Sequence, residues 1–371
     1  MTEKLSVKIK RVLSPAAAVF TVYFLIGLIA MLISKSSAAF ADFWQAKIAS
    51  FPRAVLALIT DILPFSLAET LILSIPLMFA VVIYYSGKIT EKKGGMLRFV
   101  INAVSVCLLI FGMLFFNFSA GYNTSPLEKR LGLTRDKVSA QQLADTAEIL
   151  LDGIRADIDD VDFIYGGFSV MPYDISEMNR KLNQAYKKVC EKYGFISDFT
   201  TNVKPVALSE PWTYTHVAGV YTFFTGEANI NVNFPDYTIP FTAAHEMAHQ
   251  RGISREDEAN FIAFLVCSES DDPYIRYSGY TAIFEYVGSA LYSADKTAYT
   301  ALYSSYVPAE LKNEMHAYNA FFEKYRENKV AQVSSKVNDS YLKSQGQKEG
   351  SRSYNLVVDL AVAYCLNGEN N

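Results

Sequence analysis

The sequence predicts a fold in two parts, with an α-helical membrane region at the N-terminus (residues 1–118) and an α+β, mostly helical domain after it (residues 119–371). Three observations predict it. Apolar residues make up 51% of the 371 residues and charged residues only 19%. Three long uncharged runs fall in the first 118 residues. The remainder shows helical periodicity, interrupted by one pair of β-rich segments.

The three uncharged runs, 12–34, 70–87 and 99–118, predict three transmembrane helices at about residues 12–34, 68–87 and 99–118. At about 1.5 Å per residue, each is long enough, or nearly so, to cross a hydrocarbon core of about 30 Å. We therefore expect contact with membrane lipid. A cleaved signal peptide is the alternative for the first run, which is long for one. The apolar segment 54–68 predicts either a short interfacial helix or an early start of the second span.

The distribution of basic residues predicts the orientation in the membrane. Four lysines and arginines lie in the first eleven residues, four more follow the second span, and only three are spread over the longer loop after the first span. Since short cytoplasmic loops are enriched in Lys and Arg, we expect a multi-pass protein of the cell membrane. Its N-terminus would be cytoplasmic and its C-terminal domain extracytoplasmic.

Local signals predict the helices of the C-terminal domain. The capping box at 139–142 begins a helix that continues to about residue 157. A second helix covers about 176–193 and ends at Gly194. After Asp272 and Pro273 the pattern is helical again, at about 274–292, 308–326 and 353–366.

Two β-rich segments, 217–224 and 228–234, flank Thr225-Gly226 and predict a hairpin. Strict alternation in the second segment predicts that Ala228, Ile230, Val232 and Phe234 face the core, and that Asn229, Asn231 and Asn233 face the other way. A strand with a free edge could pair with an extended peptide. We therefore expect 228–234 to form the edge of a substrate cleft, or else to be a plain half-buried strand.

The most specific motif is His-Glu-x-x-His at residues 245–249, in a chain with four histidines. On a helix, His245 and His249 share one face and can bind one metal ion. Glu246 would lie beside the metal and could accept a proton from a water molecule. The alternative is an amphipathic helix with two surface histidines.

A catalytic zinc site needs a third protein ligand. Gly252 predicts a helix end, and a second helix follows with Glu256, Asp257 and Glu258 in its first turn. Either glutamate could be the third ligand. Acidic residues also suit any helix N-terminus because of the helix dipole, so the cluster taken alone has an ordinary structural explanation.

The run from Glu256 to Asn260 resembles the Glu-x-x-Ala/Ser-Asp/Asn motif that follows HExxH in the gluzincin metallopeptidases. The resemblance implies a zincin-like fold and Zn²⁺ bound by His245, His249 and Glu256, with Asn260 supporting a ligand histidine. It also implies that Glu246 is catalytic. The chain departs from the gluzincin pattern in two ways. The gap between His249 and Glu256 is short, and position 260 is asparagine where aspartate is commoner.

Three apolar spans followed by this motif also resemble a bacterial membrane protein family that is catalogued only as a domain of unknown function. Together these features predict a membrane-anchored, zinc-dependent metallopeptidase that acts on a peptide or protein substrate outside the cytoplasm. The alternatives are a non-catalytic zinc-fold sensor or scaffold, and a metal-dependent amidase of cell-wall peptides. A net charge of −4, with no basic stripe, argues against a nucleic-acid partner.

Two further features complete the sequence-based expectations. Leu-Asp-Gly at 151–153 together with HExxH is typical of intramembrane metalloproteases, but the charged residues around both motifs argue against a place in lipid. A tetrahedral intermediate also needs a hydrogen-bond donor for its oxyanion. The candidates are His216, Arg276, Tyr277 and Tyr280.

Overall fold

The computed structural model describes residues 14–91, 95–164, 167–326 and 328–367. Several basic residues behind the predicted orientation therefore lie outside the described residues: Lys4, Lys8, Lys10, Arg11, Lys92 and Lys93.

The N-terminal region contains five α-helices and one π-helix among its described residues: α1 (Pro15–Ser34), α2 (Ala38–Phe43), the π-helix Trp44–Ala49, α3 (Ser50–Asp61), α4 (Leu67–Glu91) and α5 (Gly95–Asn117). The helices α1, α4 and α5 are long and apolar enough to cross a membrane, and they fall where the three spans are predicted. The segment 54–68, for which the sequence left open an interfacial helix or an early start of the second span, is divided in the structure. Most of it belongs to α3, a helix separate from the second span, and its last two residues begin α4.

The first and third spans pack closely through glycine. A Cβ atom on Gly27 of α1 would lie 2.9 Å from the carbonyl oxygen of Gly112 on α5. Small residues at such a crossing let two backbones approach, as is common between membrane helices.

The loop between the first and second spans packs against the C-terminal domain. Asp42 accepts hydrogen bonds from Ser125 at 2.9 and 2.6 Å. The carboxylate of Glu227 accepts the backbone N–H groups of Leu67 and Ala68 at 2.9 and 2.8 Å and so caps the start of α4. The ends of α1 and α5 and the start of α4 therefore lie on the side of the membrane region that carries the domain.

The C-terminal domain is mostly helical. Its α-helices are α6 (Leu127–Arg130), α7 (Ala140–Asp157), α8 (Ile175–Tyr193), α9 (Ser209–Thr213), α10 (Ile239–Gln250), α11 (Glu256–Ser268), α12 (Pro273–Ala294), α13 (Lys296–Ser305), α14 (Ala309–Glu323), α15 (Lys329–Ser344) and α16 (Val357–Asn367). The predicted capping box is present at the start of α7, and Gly194 ends α8 with a φ of 64°. The last predicted helix begins with a 3₁₀ segment, Gly350–Leu356, before α16.

A small sheet has the strands β1 (Lys204–Pro205), β2 (Gly219–Thr222) and β3 (Glu227–Ile230) in the order β1-β3-β2. The strands β2 and β3 form the predicted hairpin, and β1 pairs with β3 in parallel. Ala228 and Ile230 are buried, as predicted, but the prediction for Val232 is wrong, because that residue is 38% exposed. Asn229 and Asn231 are buried as well, at 1% and 0% exposed. Strand β3 contacts both α10 and α3, so neither of its faces is open to solvent.

The two helices α10 and α11 form the centre of the domain, in contact with each other and with α8 and α12. Nearly every residue of both is buried, including the charged ones. Buried charges are costly unless they are paired or bind metal, so these two helices are where a functional site is expected.

Candidate metal centre

A tight turn brings the first turn of α11 against the histidine face of α10. Gly252 has a φ of 97°, a conformation that favours glycine. The Ile253 N–H then bonds to the Ala248 carbonyl at 3.1 Å. A Cβ on Gly252 would also collide with the guanidinium of Arg53. This reversal explains why the short gap between His249 and Glu256 is sufficient.

Three of the predicted residues converge on one point. The Oε2 atom of Glu256 lies 3.3 Å from Nε2 of His245 and 3.3 Å from Nε2 of His249. One ligand atom from each residue lies within 4.8 Å of the others. The arrangement matches the two histidines and one glutamate of catalytic zinc sites, which leave a further position open.

The Nδ1 atoms of the two histidines, on the far side of each ring from Glu256, have hydrogen-bond partners. Nδ1 of His245 lies 2.8 Å from Oδ1 of Asn260, and Nδ1 of His249 lies 2.7 Å from the carbonyl oxygen of Ile253. Since those oxygens accept hydrogen bonds, Nδ1 carries the proton and Nε2 is free to bind a metal. Asn260 thus occupies the supporting position implied by the gluzincin resemblance.

The charges of the cluster are strongly coupled. Burial acts to raise the pKa of Glu256, but His249 and His245 outweigh it and hold that pKa well below its usual value. Burial acts to lower the pKa of His249, but the Glu256 carboxylate outweighs it and raises that pKa to about 9. The two imidazoles therefore stabilise the ionised form of Glu256. Its Oε2 has no hydrogen-bond partner among the described residues.

Glu246 lies beside this cluster with one oxygen unengaged. Its Oε2 is buried and has no hydrogen-bond partner in the described part of the chain. Burial is the main cause that raises the Glu246 pKa above its usual value. A Cβ on Gly219 would lie 2.6 Å from Oε1 of Glu246, so only glycine fits the adjacent strand.

The other acidic residues of α11 face away from the histidines. Glu258 accepts the Leu127 N–H at 2.9 Å and pairs with Arg130 and Arg255 at 3.4 and 3.2 Å. Asp257 pairs with an arginine of the loop before α7. Of the two glutamates that the sequence offers as third ligand, only Glu256 reaches the histidines.

The free edge beside Glu246 belongs to β2. The Ala218 carbonyl accepts the Asn231 N–H at 2.7 Å, and Val220 is paired with Asn229. Because antiparallel pairing alternates, the backbone groups of Gly219 and Tyr221 point away from the sheet.

The expectation that 228–234 offers the substrate edge is wrong. Strand β3 is paired on both sides, with β1 and with β2. The Val232 N–H is also engaged, because it donates to Oγ of Ser209 at 3.1 Å.

The cluster opens into a cavity of about 1170 Å³. Phe118, at the domain end of the third candidate span, lines this cavity, and its ring centroid lies 5.7 Å from that of His249. The candidate centre therefore lies next to the end of a membrane helix.

Of the predicted oxyanion donors, only His216 lines the cavity. Arg276 pairs with Asp157, and Tyr277 donates to Glu314. Tyr280 packs against Phe264.

The cavity lining also contains hydroxyl groups that sequence reasoning missed, those of Tyr122, Tyr341 and Tyr354. The Tyr354 ring stacks on His245 with centroids 6.4 Å apart. The chain has 24 tyrosines, so the sequence has no pattern that singles these out.

The Leu-Asp-Gly segment lies apart from the centre. Asp152 is largely exposed and pairs with Arg155 at 3.7 Å. The helix α10 is not among the candidate membrane spans of the described residues. Neither motif therefore has the setting of an intramembrane protease.

A family model described as "Protein of unknown function (DUF3810)" matches residues 44–362 of the chain. The match begins in the loop after the first span and includes the whole candidate centre. No curated protein and no solved structure matches the chain.

Proposed function

The chain belongs to the DUF3810 family, and we propose that it is a zinc-dependent metallopeptidase of the gluzincin type, anchored in a membrane by three spans. The observation that carries the proposal is the convergence of His245, His249 and Glu256 beside the unengaged carboxylate oxygen of Glu246. A site that only binds metal has no need of such a base, which favours an enzyme over a sensor or scaffold.

The donor set fits zinc better than the other common metals. Hydrolytic zinc sites typically use two imidazole nitrogens and one carboxylate oxygen. Here each imidazole also has a hydrogen-bond partner on its other nitrogen, and the carboxylate is buried. When bound, zinc would act as a Lewis acid that polarises water and the scissile carbonyl.

The remaining chemistry belongs to the chain's own residues. Oε2 of Glu246 takes a proton from the attacking water and later delivers it to the leaving amine nitrogen. Hydroxyl groups in the cavity wall, including that of Tyr354, supply donors for the oxyanion.

The substrate would be an extended peptide that pairs with the outer edge of β2. The backbone of Gly219 and the carbonyl group of Tyr221 point outward there, adjacent to Glu246, whose carboxylate the Tyr221 N–H contacts. Backbone pairing gives affinity with little demand on sequence. It also holds the scissile amide in register with the base.

The domain would lie outside the cytoplasm, in the cell membrane. The loop after the first span and the C-terminal domain lie on the same side of the three candidate spans, which supports an odd number of crossings before the domain. The Lys and Arg bias of the sequence then favours a cytoplasmic N-terminus. An alkaline phosphatase fusion after Ser119 should be active, and one placed at residue 90 inactive; the reverse pattern would overturn the orientation.

The decisive experiment compares the purified full-length protein with its Glu246→Gln variant, for zinc content and for hydrolysis of a mixture of quenched fluorescent peptides. Glu246→Gln should keep one zinc per chain and lose about 10²–10⁴-fold in kcat/KM. Glu191→Gln, an exposed glutamate on α8, is the matched control and should be as active as the wild type.

A fully active Glu246→Gln protein, or a fully active zinc-free protein, would refute the proposal. A zinc-loaded wild type that cleaves neither proteins nor cell-wall peptides would favour the sensor or scaffold alternative. Hydrolysis of cell-wall peptides alone would favour the amidase alternative.

A further inference from the structure

A second carboxylate, that of Glu285 on α12, lines the cavity of the candidate metal centre. It lies near the start of α10, because Tyr237, in the 3₁₀ turn before that helix, donates its hydroxyl to Oε1 of Glu285 at 3.1 Å. The histidines of HExxH lie in the other half of α10. Glu285 therefore belongs to a part of the cavity wall that the proposed hydrolysis does not use.

Glu285 has no cationic partner in the described part of the chain. The ion pairs found there do not include it. Of the other histidine and carboxylate side chains in the lining, four belong to the candidate metal centre, and His216 is engaged with the Tyr325 carbonyl oxygen at 2.6 Å. Burial raises the pKa of Glu285 to about 7. An ionised carboxylate in such a place is costly until a cation joins it.

Aromatic rings surround this carboxylate. Tyr237, Tyr286 and Tyr318 all line the cavity, and the ring centroids of Tyr237 and Tyr318 lie 6.0 Å apart. Aromatic faces attract cations through the ring quadrupole, most strongly where water is excluded. A carboxylate among tyrosine rings is thus suited to an ammonium or guanidinium group, and it would repel an acidic one.

We propose that Glu285 and the tyrosines around it form a subsite for a positively charged group of the substrate. This proposal rests on the proposed function, because it assumes that a peptide occupies the cavity. The charged group is either the side chain of a lysine or arginine residue or the free N-terminal amine of the peptide. Both present the same chemistry to Glu285.

The test measures binding rather than turnover. The full-length zinc-loaded Glu246→Gln protein is titrated with fluorescein-labelled Ala/Gly decapeptides that contain one Lys, one norleucine or one Glu at each position in turn, and anisotropy gives Kd. At one position or more, Lys should bind about 10-fold tighter than norleucine, and Glu should bind worst. Adding Glu285→Gln should reduce the ratio of Lys to norleucine to about 1.

The two sources of charge are separated by a second pair of probes. A C-terminally labelled peptide without lysine is compared with its N-acetylated form. If the free amine binds tighter and Glu285→Gln removes the difference, the subsite takes the N-terminus. If only the Lys series depends on Glu285, it takes a side chain.

Glu191→Gln is the matched control, because it makes the same substitution at an exposed position on α8 that does not line the cavity. It should preserve the preference for positive charge. The proposal is overturned if charge has no effect on binding, if Glu285→Gln leaves a preference intact, if Glu191→Gln abolishes it equally, or if no cationic peptide binds.

Zinc content measured in the same samples keeps the two proposals apart. Binding that depends on Glu285 in a protein without zinc would support the subsite and refute the metallopeptidase. A zinc-loaded protein that binds peptides equally well whatever their charge would refute the subsite and support the metallopeptidase.

Discussion

Glu256 and Glu258 lie two residues apart in the first turn of α11, both almost fully buried, and they serve opposite sides of the helix. Glu256 faces two imidazoles that a metal can engage in place of a proton. Glu258 faces two guanidinium groups, which remain charged at any relevant pH. One carboxylate thus belongs to a site that can exchange its cation, and the other faces two arginines that are fixed parts of the chain.

The arginine side has a structural purpose. Glu258 accepts the N–H of Leu127, and its partner Arg130 lies on α6, a few residues after the third span. Arg255 also donates to the carbonyl oxygen of Thr124 at 2.6 Å. These contacts tie α11 to the segment that leaves the membrane. The first turn of α11 therefore carries both a metal side, which is Glu256 with the two histidines, and an anchoring side, which is Glu258 with the two arginines.

The largest expected effect is a difference in zinc affinity between variants of Glu256 and variants of Glu258. Glu256→Ala removes a ligand and should weaken zinc binding by more than the roughly 10–100-fold typical of an outer partner. Glu258→Ala should leave one zinc per folded chain. The measurement is competition with a chromophoric chelator, with Glu258→Gln as a substitute if the alanine variant unfolds. Loss of zinc from the position 258 variants but not from Glu256→Ala would reverse the assignment.

The next effect is on stability and pH. Burial raises the pKa of Glu258 from 4.5 to about 7 against the opposing pull of Arg255 and Arg130. Between those values the folded state holds more protons than the unfolded state, so stability should fall as pH rises, by up to about 3 kcal/mol. Glu256 has the opposite sign, because its depressed pKa adds stability that is lost as pH falls below about 4.5.

Urea titrations of the metal-free full-length protein in detergent, at intervals from pH 4.5 to 7, measure this slope. Glu258→Gln should flatten it, and Glu191→Gln should leave it as in the wild type. An identical slope for wild type and Glu258→Gln would show that Glu258 titrates alike in the folded and unfolded states.

The smallest effect tests the support behind the metal side. Asn260→Ala removes the oxygen that accepts the His245 Nδ1 proton and should weaken zinc binding by about 10–100-fold. Asn260→Asp keeps an acceptor there and should retain most of the affinity. If both variants lost the same amount, the role of Asn260 would be packing rather than orientation of the ring.

Much of the centre could be predicted from the sequence because its parts are local. His245 and His249 are one helical turn apart, Gly252 marks the end of α10, and Glu256 starts the next helix. The three apolar spans were predictable for the same reason, since length and hydropathy are properties of contiguous residues. The choice of Glu256 over Glu258 came from a family motif and not from spacing.

Other features depended on partners far away in the chain. Alternation in 228–234 predicted a strand where the structure has the shorter strand Glu227–Ile230. It did not predict the place of that strand in the sheet, because β1 comes from a separate segment and pairs with β3 on its second side. The buried Asn229 and Asn231 follow from that central position. The helices α13 and α15 were missed altogether.

The sequence by itself determined the three spans, the α10–turn–α11 unit and the residues of the metal cluster, because each depends on contacts within about a dozen residues. Only the tertiary structure decided that β2 is the free edge, that Glu258 pairs with arginines, and that Glu285 and Tyr354 line the cavity. Those features depend on contacts between segments that can be more than a hundred residues apart in the chain, as Arg130 and Glu258 are. Their positions follow from how the whole core packs, which no local pattern records.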